Sequence, residues 1–381
     1  MNTVWLNPDD VRLDDLLAVL KEQTDAADHP TAERIEQQVP VYDAARVRSA
    51  DPRTVQAEFA RAFADGPGII VLEGAFGNEV VDAATAEFDR MIDEQHRSGA
   101  AAGDHFAKPG ANDRVWNALE KLAVNAPDVF AAYYANDLLA LVARAWLGPA
   151  YQVTSQVNVV NPGGEGQTVH RDYHLGFQSD EVAAQYPAHV HRLSSVLTLQ
   201  GAVAHCDMPV ESGPTLYLPH SQKYDLGYLA WRRPEFSEHF VANHVQLPLH
   251  KGDAVFFNPA LFHAAGSNHS ADIKRMANLL QLSSAFGRAM ETVDRTRMAL
   301  ALHPALLRLA ADDPAAAGRV IDAGAEGYAF PTNLDRDQPI GGLAPQSQAD
   351  LVRQAVAEGW DRDQLQRALG DQTTRRRTHD G

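Results

Sequence analysis

The chain has 381 residues, 45% hydrophobic and 22% charged, enough apolar material for one large domain or two modest ones. A formal net charge of −17 argues against non-specific binding to nucleic acid or an anionic membrane, since both require a basic face. The single cysteine, Cys206, excludes an intrachain disulfide, no run reaches the ~18 apolar residues of a membrane span, and the opening residues lack a secretory pattern, so a cytoplasmic location is expected.

The first half reads as mostly helical. Leu13, Leu16, Leu17 and Leu20 have helical spacing. Asp51-Pro52 is a helix start, with a capping carboxylate followed by proline in the first turn, and the helix should stop at Gly66-Pro67-Gly68. Ile69-Ile70-Val71-Leu72 reads as a short buried strand, and Asn78 as the cap of a helix reaching about Gln95. Further helices are expected over 115–124 and 137–147, the second stopped by Gly148-Pro149. From Tyr151 to about Ser284 the apolar runs are short and broken by Gly, Pro and Asn, as in an all-β sandwich or barrel. After Phe286 helices return over 300–311 and 346–369, with a loop-rich connector over 331–345 and a frayed basic tail from Thr373. The fold class expected is α+β: a cupin-like jelly roll with packed helices over 51–290, flanked by helical extensions at 1–50 and 291–381.

The strongest chemical signal is Val169-His170-Arg171-Asp172. In an extended strand, residues two apart share a face, so His170 and Asp172 would present an imidazole and a carboxylate side by side, with Arg171 turned away. A second histidine from a distant strand would complete a facial triad, which suits non-haem Fe(II) and leaves coordination sites open for a 2-oxo acid and O2. His263 follows the buried run that begins at Gly252-Asp253, and Arg275 comes a dozen residues later. A buried cation there is what the far carboxylate of 2-oxoglutarate would require, and a guanidinium fork supplies two parallel hydrogen bonds. Adjacent strand residues face opposite ways, so Arg275 rather than Lys274 is expected inward.

Four blocks in this order resemble the phytanoyl-CoA dioxygenase family, which includes ectoine hydroxylase-like enzymes. They are 59–72, then Asn161-Pro162-Gly163-Gly164 to Asp172, then Glu211-Ser212-Gly213-Pro214 to Ser221, then Gly252 to Arg275. The resemblance implies a double-stranded β-helix, with His170, Asp172 and His263 as iron ligands and Arg275 as the 2-oxoglutarate anchor. Two departures stand out. Ala265 occupies the position two after the distal histidine, where the family often has a hydroxyl that Ser267 could replace, and His220 stands where glycine is usual. The retained Asp172 carboxylate favours hydroxylation over halogenation, with 2-oxoglutarate decarboxylated to succinate and CO2.

Other residues are weighed against plain structural roles. Gln156 and Asn158 alternate on the strand before the triad, and one of them, Asn158 by preference, could bond the cosubstrate. Thr198 and Gln200 sit similarly on a later strand. Tyr173, His174 and Phe177 are expected to border the substrate pocket. A rival ligand set, His170-x-Asp172-x-His174, would leave the 263–275 block unexplained. His205, His220 and His269 read as structural or surface residues, and Cys206 as a small buried residue rather than a nucleophile. The function expected is an Fe(II)/2-oxoglutarate hydroxylase acting on a small organic molecule. The alternatives are a cupin-like hydrolase or isomerase that needs no 2-oxoglutarate, and a silent binding module on the same fold. The terminal extensions could form a lid or a homodimer contact.

Overall fold

The computed structural model describes residues 4–99 and 110–379. Helix α1 (Leu13–Val19) comes first. A hairpin follows, β1 (Arg34–Glu36) and β2 (Val39–Asp43), then α2 (Ala44–Ser49). In α3 (Pro52–Ala64) the Asp51 carboxylate accepts from the Thr54 amide at 2.8 Å, with proline in the first turn. Strand β3 (Ile69–Glu73) leads to α4 (Asn78–Ser98), whose cap is Gly77, so Asn78 is its first helical residue rather than its cap. Val115 ends a strand, β4 (Asn112–Val115), where a helix was expected, and α5 (Ala118–Asn125) begins three residues later. Helices α6 (Pro127–Tyr134) and α7 (Asp137–Leu147) complete the first half.

The middle holds β5 (Gln152–Val160), α8 (Asp180–Ala183), α9 (Ala188–Val196), β6 (Thr198–Ala204) and β7 (Leu216–Leu218). It continues with α10 (Pro234–Asn243), β8 (Val245–Gln246), β9 (Ala254–Phe257), β10 (Phe262–Ala264) and β11 (Arg275–Ser283). The chain closes with α11 (Arg295–Asp312), α12 (Pro314–Gly324), α13 (Gln348–Ala357) and α14 (Arg362–Arg375). The frayed tail expected from Thr373 therefore starts later, and residues 380–381 lie outside the described residues.

Two sheets face each other as a jelly roll, the double-stranded β-helix. The large sheet runs β1-β2-β3-β9-β6-β11-β5-β4 and the small one β10-β7-β8. Side chains of the large sheet sort by parity. Ile70, Leu72, Val203, Phe256, Leu280 and Leu282 enter the core shared with the helices, whereas Ile69, Val71, Ala202, Val255 and Phe257 face the small sheet. Burial on both faces explains why these strands read as continuous apolar runs rather than alternating ones. The turn before β9 needs Gly252: φ is +93°, and a Cβ there would meet the Phe76 carbonyl oxygen at 2.4 Å.

The expected flanking extensions belong to this architecture. Strands β1 and β2 join the large sheet through the parallel β2–β3 pairing, so 1–50 is not purely helical. Met298, Leu302, Leu306, Val320, Leu351, Val352 and Leu365 of α11–α14 pack into the same core as the outer sheet face. Among the described residues no helix is long and apolar enough to cross a membrane.

A buried polar chain pins the helices to the sheet. His205, just beyond β6, bonds Thr85 Oγ1 of α4 at 2.8 Å through Nδ1 and Tyr133 Oη of α6 at 3.0 Å through Nε2. Asn278 of β11 donates to the hydroxyls of Tyr133 and Tyr134. Burial pushes the His205 imidazole down to about 3, so the folded state holds it neutral where the unfolded chain takes up a proton. Its contribution to stability is complete above about pH 6.5 and falls with pH down to about 3, by as much as ~1.4 kcal/mol per pH unit. Urea midpoints measured across this range should fall more steeply with acid for the wild type than for His205→Gln. Parallel curves would contradict the assignment.

Candidate active site

The segment carrying His170 and Asp172 is held by backbone pairing. His170 N donates to His263 O at 2.9 Å and His263 N to His170 O at 3.2 Å, an antiparallel bridge that adds residue 170 to the edge of β10. Asp172 N donates to Pro259 O at 2.9 Å, so the chain stays extended through 172 and the carboxylate falls on the imidazole face. The ring centroids of His170 and His263 are 4.3 Å apart. Asp172 Oδ2 lies 3.8 Å from His170 Nε2 and 3.5 Å from His263 Nε2. One donor atom from each residue falls within 4.8 Å of the others, and this is the cluster of three such residues found among the described residues.

The imidazole tautomers suit a metal. His170 Nδ1 is 2.9 Å from Thr168 O, and His263 Nδ1 is 2.8 Å from Leu261 O. A carbonyl only accepts, so each Nδ1 carries the hydrogen and each Nε2 lone pair points at the shared space. Burial lowers His170 below the ordinary imidazole range, helped by neighbouring His263. Burial alone would raise the Asp172 carboxyl, but the facing His170 and His263 and the Gln200 carboxamide outweigh it and hold it at about 2. Asp172 is therefore held as a carboxylate and His170 is pushed toward its neutral form, the states in which these groups bind a divalent metal.

Arg171 turns the other way, as strand parity requires. Its guanidinium is buried, donates to the carbonyls of Ser221 and Tyr224, and lies 5.0 Å from the Phe262 ring centroid and 5.2 Å from that of Tyr228. Gly227 makes room for it: a Cβ there would fall 1.8 Å from Arg171 Cζ. Beyond Asp172 the strand ends abruptly. Tyr173 (φ +53°) and His174 (φ +43°) adopt positive φ, and a short 3-10 turn begins. This turn carries His174 away to Ser194 Oγ at 3.3 Å and out of the ligand cluster, which removes the His170-x-Asp172-x-His174 alternative. Tyr173 is buried beside Phe177, ring to ring at 6.0 Å, and of Tyr173, His174 and Phe177 the cavity is lined by Phe177.

The triad opens into a cavity of about 510 Å³ between the two sheets, within the range of small-molecule sites. Arg275, the first residue of β11, lines it and is only 6% exposed, while Lys274 is exposed outside. Arg275 Nη1 donates to Gly266 O at 3.2 Å, and no carboxylate among the described residues pairs with it. Burial brings its guanidinium down to about 10, against the pull of Cys206 and Tyr217, so it stays charged at neutral pH. Asn158 and Gln156 of β5 both line the cavity, and Gln156 Oε1 accepts from Arg114 Nη1 at 3.0 Å. Thr198 does not line it. It sits at the start of β6, while Gln200, two residues on, reaches the cavity and donates to Asp172 Oδ2.

Several residues have roles that sequence spacing did not separate. Ala265 lines the cavity, but the Ser267 hydroxyl accepts from the Gly166 amide at 2.8 Å and holds the preceding loop instead of replacing the missing hydroxyl. Thr215 and Tyr217 supply hydroxyls to the cavity, and Tyr217 lies directly across from His263 in the β7–β10 pairing. The signal was present in Leu216-Tyr217-Leu218, whose alternation puts one side chain opposite to its two neighbours. His220 has φ +72°, which is why glycine suits this position, and its Nε2 lies 3.2 Å from Thr24 Oγ1. Cys206 is half-buried, with its thiol pushed up by burial.

A family model described as Phytanoyl-CoA dioxygenase (PhyH) matches residues 64–276. No curated protein matches the sequence. Among solved structures, the chain is similar to the non-heme alpha ketoglutarate dependent carbocyclase SnoK from nogalamycin biosynthesis, at 18% identity and a TM-score of 0.45, covering 62% of this chain and 87% of that one. It is also similar to AviO1 from Streptomyces viridochromogenes Tue57, at 17% identity and a TM-score of 0.44, covering 62% of this chain and 97% of that one. A third is HygX from Streptomyces hygroscopicus, with nickel, 2-oxoglutarate and hygromycin B bound, at 18% identity and a TM-score of 0.40, covering 60% and 87%. The family match spans more than half of the sequence and contains His170, Asp172, His263 and Arg275, and the chain belongs to the phytanoyl-CoA dioxygenase family.

Proposed function

We propose that the chain is an Fe(II)- and 2-oxoglutarate-dependent oxygenase that hydroxylates a C–H bond of a small organic substrate. The observation that carries this reading is Arg275: a buried guanidinium with no carboxylate partner among the described residues, lining the cavity that also holds the His170–Asp172–His263 cluster. Such a cation is costly unless an anion meets it, and a cupin-like hydrolase or isomerase has no need of one.

When bound, Fe(II) supplies O2 activation coupled to decarboxylation of 2-oxoglutarate to succinate and CO2. The protein's own residues do the positioning. His170, Asp172 and His263 would hold the metal, each imidazole fixed in rotation by a backbone carbonyl. Arg275 would take the far carboxylate of the cosubstrate, with the Thr215 and Tyr217 hydroxyls and the Asn158 carboxamide lining the same cavity. Apolar residues, among them Val71, Val255 and Phe257 of the large sheet and Leu247 just beyond β8, would exclude water from the cavity and strengthen the pairing. Asp172 fills the carboxylate ligand position, which favours hydroxylation over halogenation.

Anaerobic addition of Fe(II) and 2-oxoglutarate should produce the weak visible charge-transfer band of the chelate. The band should be absent in His170→Ala. In Arg275→Ala it should need roughly 30-fold more cosubstrate, equivalent to about 2 kcal/mol for an unpaired buried charge. Full iron loading of the wild type without a band would sink the proposal.

Arg171 is a positioning residue, acting on the metal only through the segment it pins. Arg171→Met should weaken metal affinity by about 10- to 100-fold, measured by competition with a chromophoric chelator, while the ligand set stays intact. Unchanged affinity would show that the backbone bridge alone holds the ligands.

A further inference from the structure

The inner face of the large sheet carries a group of carboxamides, of which the proposed cosubstrate chemistry uses only Asn158. Gln156 and Asn158 of β5, Gln200 of β6 and Gln281 of β11 all line the cavity. Gln281 is paired directly with Gln200 across β11–β6, so their Cβ atoms lie about 5 Å apart. Gln156 is paired with Leu279, one inward position from Gln281 on β11. Asn158, Gln200 and Gln281 are 8%, 6% and 7% exposed, and the oxygen of each carboxamide has no protein partner. Two orientations are already set. Gln200 donates its amide to Asp172, so its oxygen is left as an acceptor beside the metal ligands. Gln156 gives its oxygen to Arg114 and turns its NH2 toward Met290 Sδ at 3.7 Å and the Glu291 side chain, so it lines the cavity with both ends already engaged. The register also separates these groups along the strand. Arg275 is paired with Val160, at the opposite end of β11 from Gln281.

Resting on the oxygenase reading above, we infer that Gln281 and Gln200 form the substrate subsite and that it takes a neutral, hydroxyl-rich ring, such as a sugar or cyclitol. A hydroxyl both donates and accepts and can rotate its hydrogen to suit either end of a carboxamide. An acyl chain would leave the carboxamides desolvated without partners. An anion would face the Gln200 oxygen and the Asp172 carboxylate. The same cavity offers flat apolar surfaces for the C–H faces of a ring: Trp116, which carries Arg114 4.9 Å from its ring centroid, and Phe177 near the mouth.

Calorimetric titration of the full chain with methyl β-D-glucopyranoside, trehalose, myo-inositol, N-acetylglycinamide and octanoate tests this without iron. At least one of the three polyhydroxy probes should bind, about 10-fold more weakly to Gln281→Leu, with partial recovery in Gln281→Asn. Octanoate and the amide should not bind. Gln281→Met serves where the leucine variant does not fold, and thermal melting reports folding for each. Binding of octanoate or the amide in place of the polyhydroxy probes, no polyhydroxy binding, or equal binding by a folded Gln281 variant overturns the subsite. Polyhydroxy binding that depends on Gln281 in a protein that forms no iron chelate band would keep the subsite and remove the oxygenase reading.

Discussion

One antiparallel backbone pair sets the site: His170 with His263. Each donates to the other's carbonyl, so both side chains leave the ladder on the same face, and Asp172 follows two residues later on that face. A slip of one residue would turn the pair away and present Arg171 or Phe262 instead. The register is defended from behind. Arg171 reaches the Ser221 and Tyr224 carbonyls, and the Ser221 hydroxyl accepts from the Phe262 amide. The same small sheet brings Tyr217 opposite His263. The long pairings of β11 with β5 and β6 then fix how far Arg275 stands along the cavity from Gln281.

The large sheet divides its labour between its faces. Its outer face is closed by a continuous apolar core that includes helices from both ends of the chain. Its inner face buries carboxamides and a guanidinium with few partners. Each such group costs about 1–3 kcal/mol if nothing meets it, a local violation of the rules that make a fold stable. Sites that bind or react are where such violations concentrate. The terminal helices matter here, because the core they extend offsets an inner face that contributes little.

Much of this was legible in the residues. His170 and Asp172 were readable because strand parity is strict, and Arg275 was separable from Lys274 by the same rule. The jelly roll followed from short apolar runs broken by turn residues. What escaped has identifiable causes. The β1–β2 hairpin turns through Gln37 (φ 48°) and Gln38 (φ 73°), not the Asn-Gly that announces such turns. Strand β2 contains Pro40, which demotes it on sequence grounds. Helices α8, α9 and α10 interrupt the strand region, and α9 packs against the start of β6. Thr198 and Gln200 share a parity, so spacing could not say which one reaches the cavity. That depended on where β6 enters the sheet, a tertiary fact. Asn278, on the opposite parity to Arg275, binds the tyrosines of α6, a partnership between distant segments that no local pattern encodes.

Charge is sorted by depth. The chain carries a formal −17 overall, whereas the cavity holds Arg275 in a nearly dry setting. An acidic exterior repels a dianion such as 2-oxoglutarate at long range, but salt screens that repulsion beyond about 10 Å. Retention then falls to short contacts, which gain strength where the surroundings are apolar. Under the proposed function, a buried guanidinium and a bound metal would satisfy that requirement together, each meeting one end of the dianion with positive charge. A neutral second substrate feels no such repulsion and has no need of a charged anchor. Its recognition would fall to neutral groups that donate and accept, such as the carboxamides of Gln200 and Gln281 that line the cavity. On this reading the two halves of the cavity differ in chemistry because their occupants differ in charge.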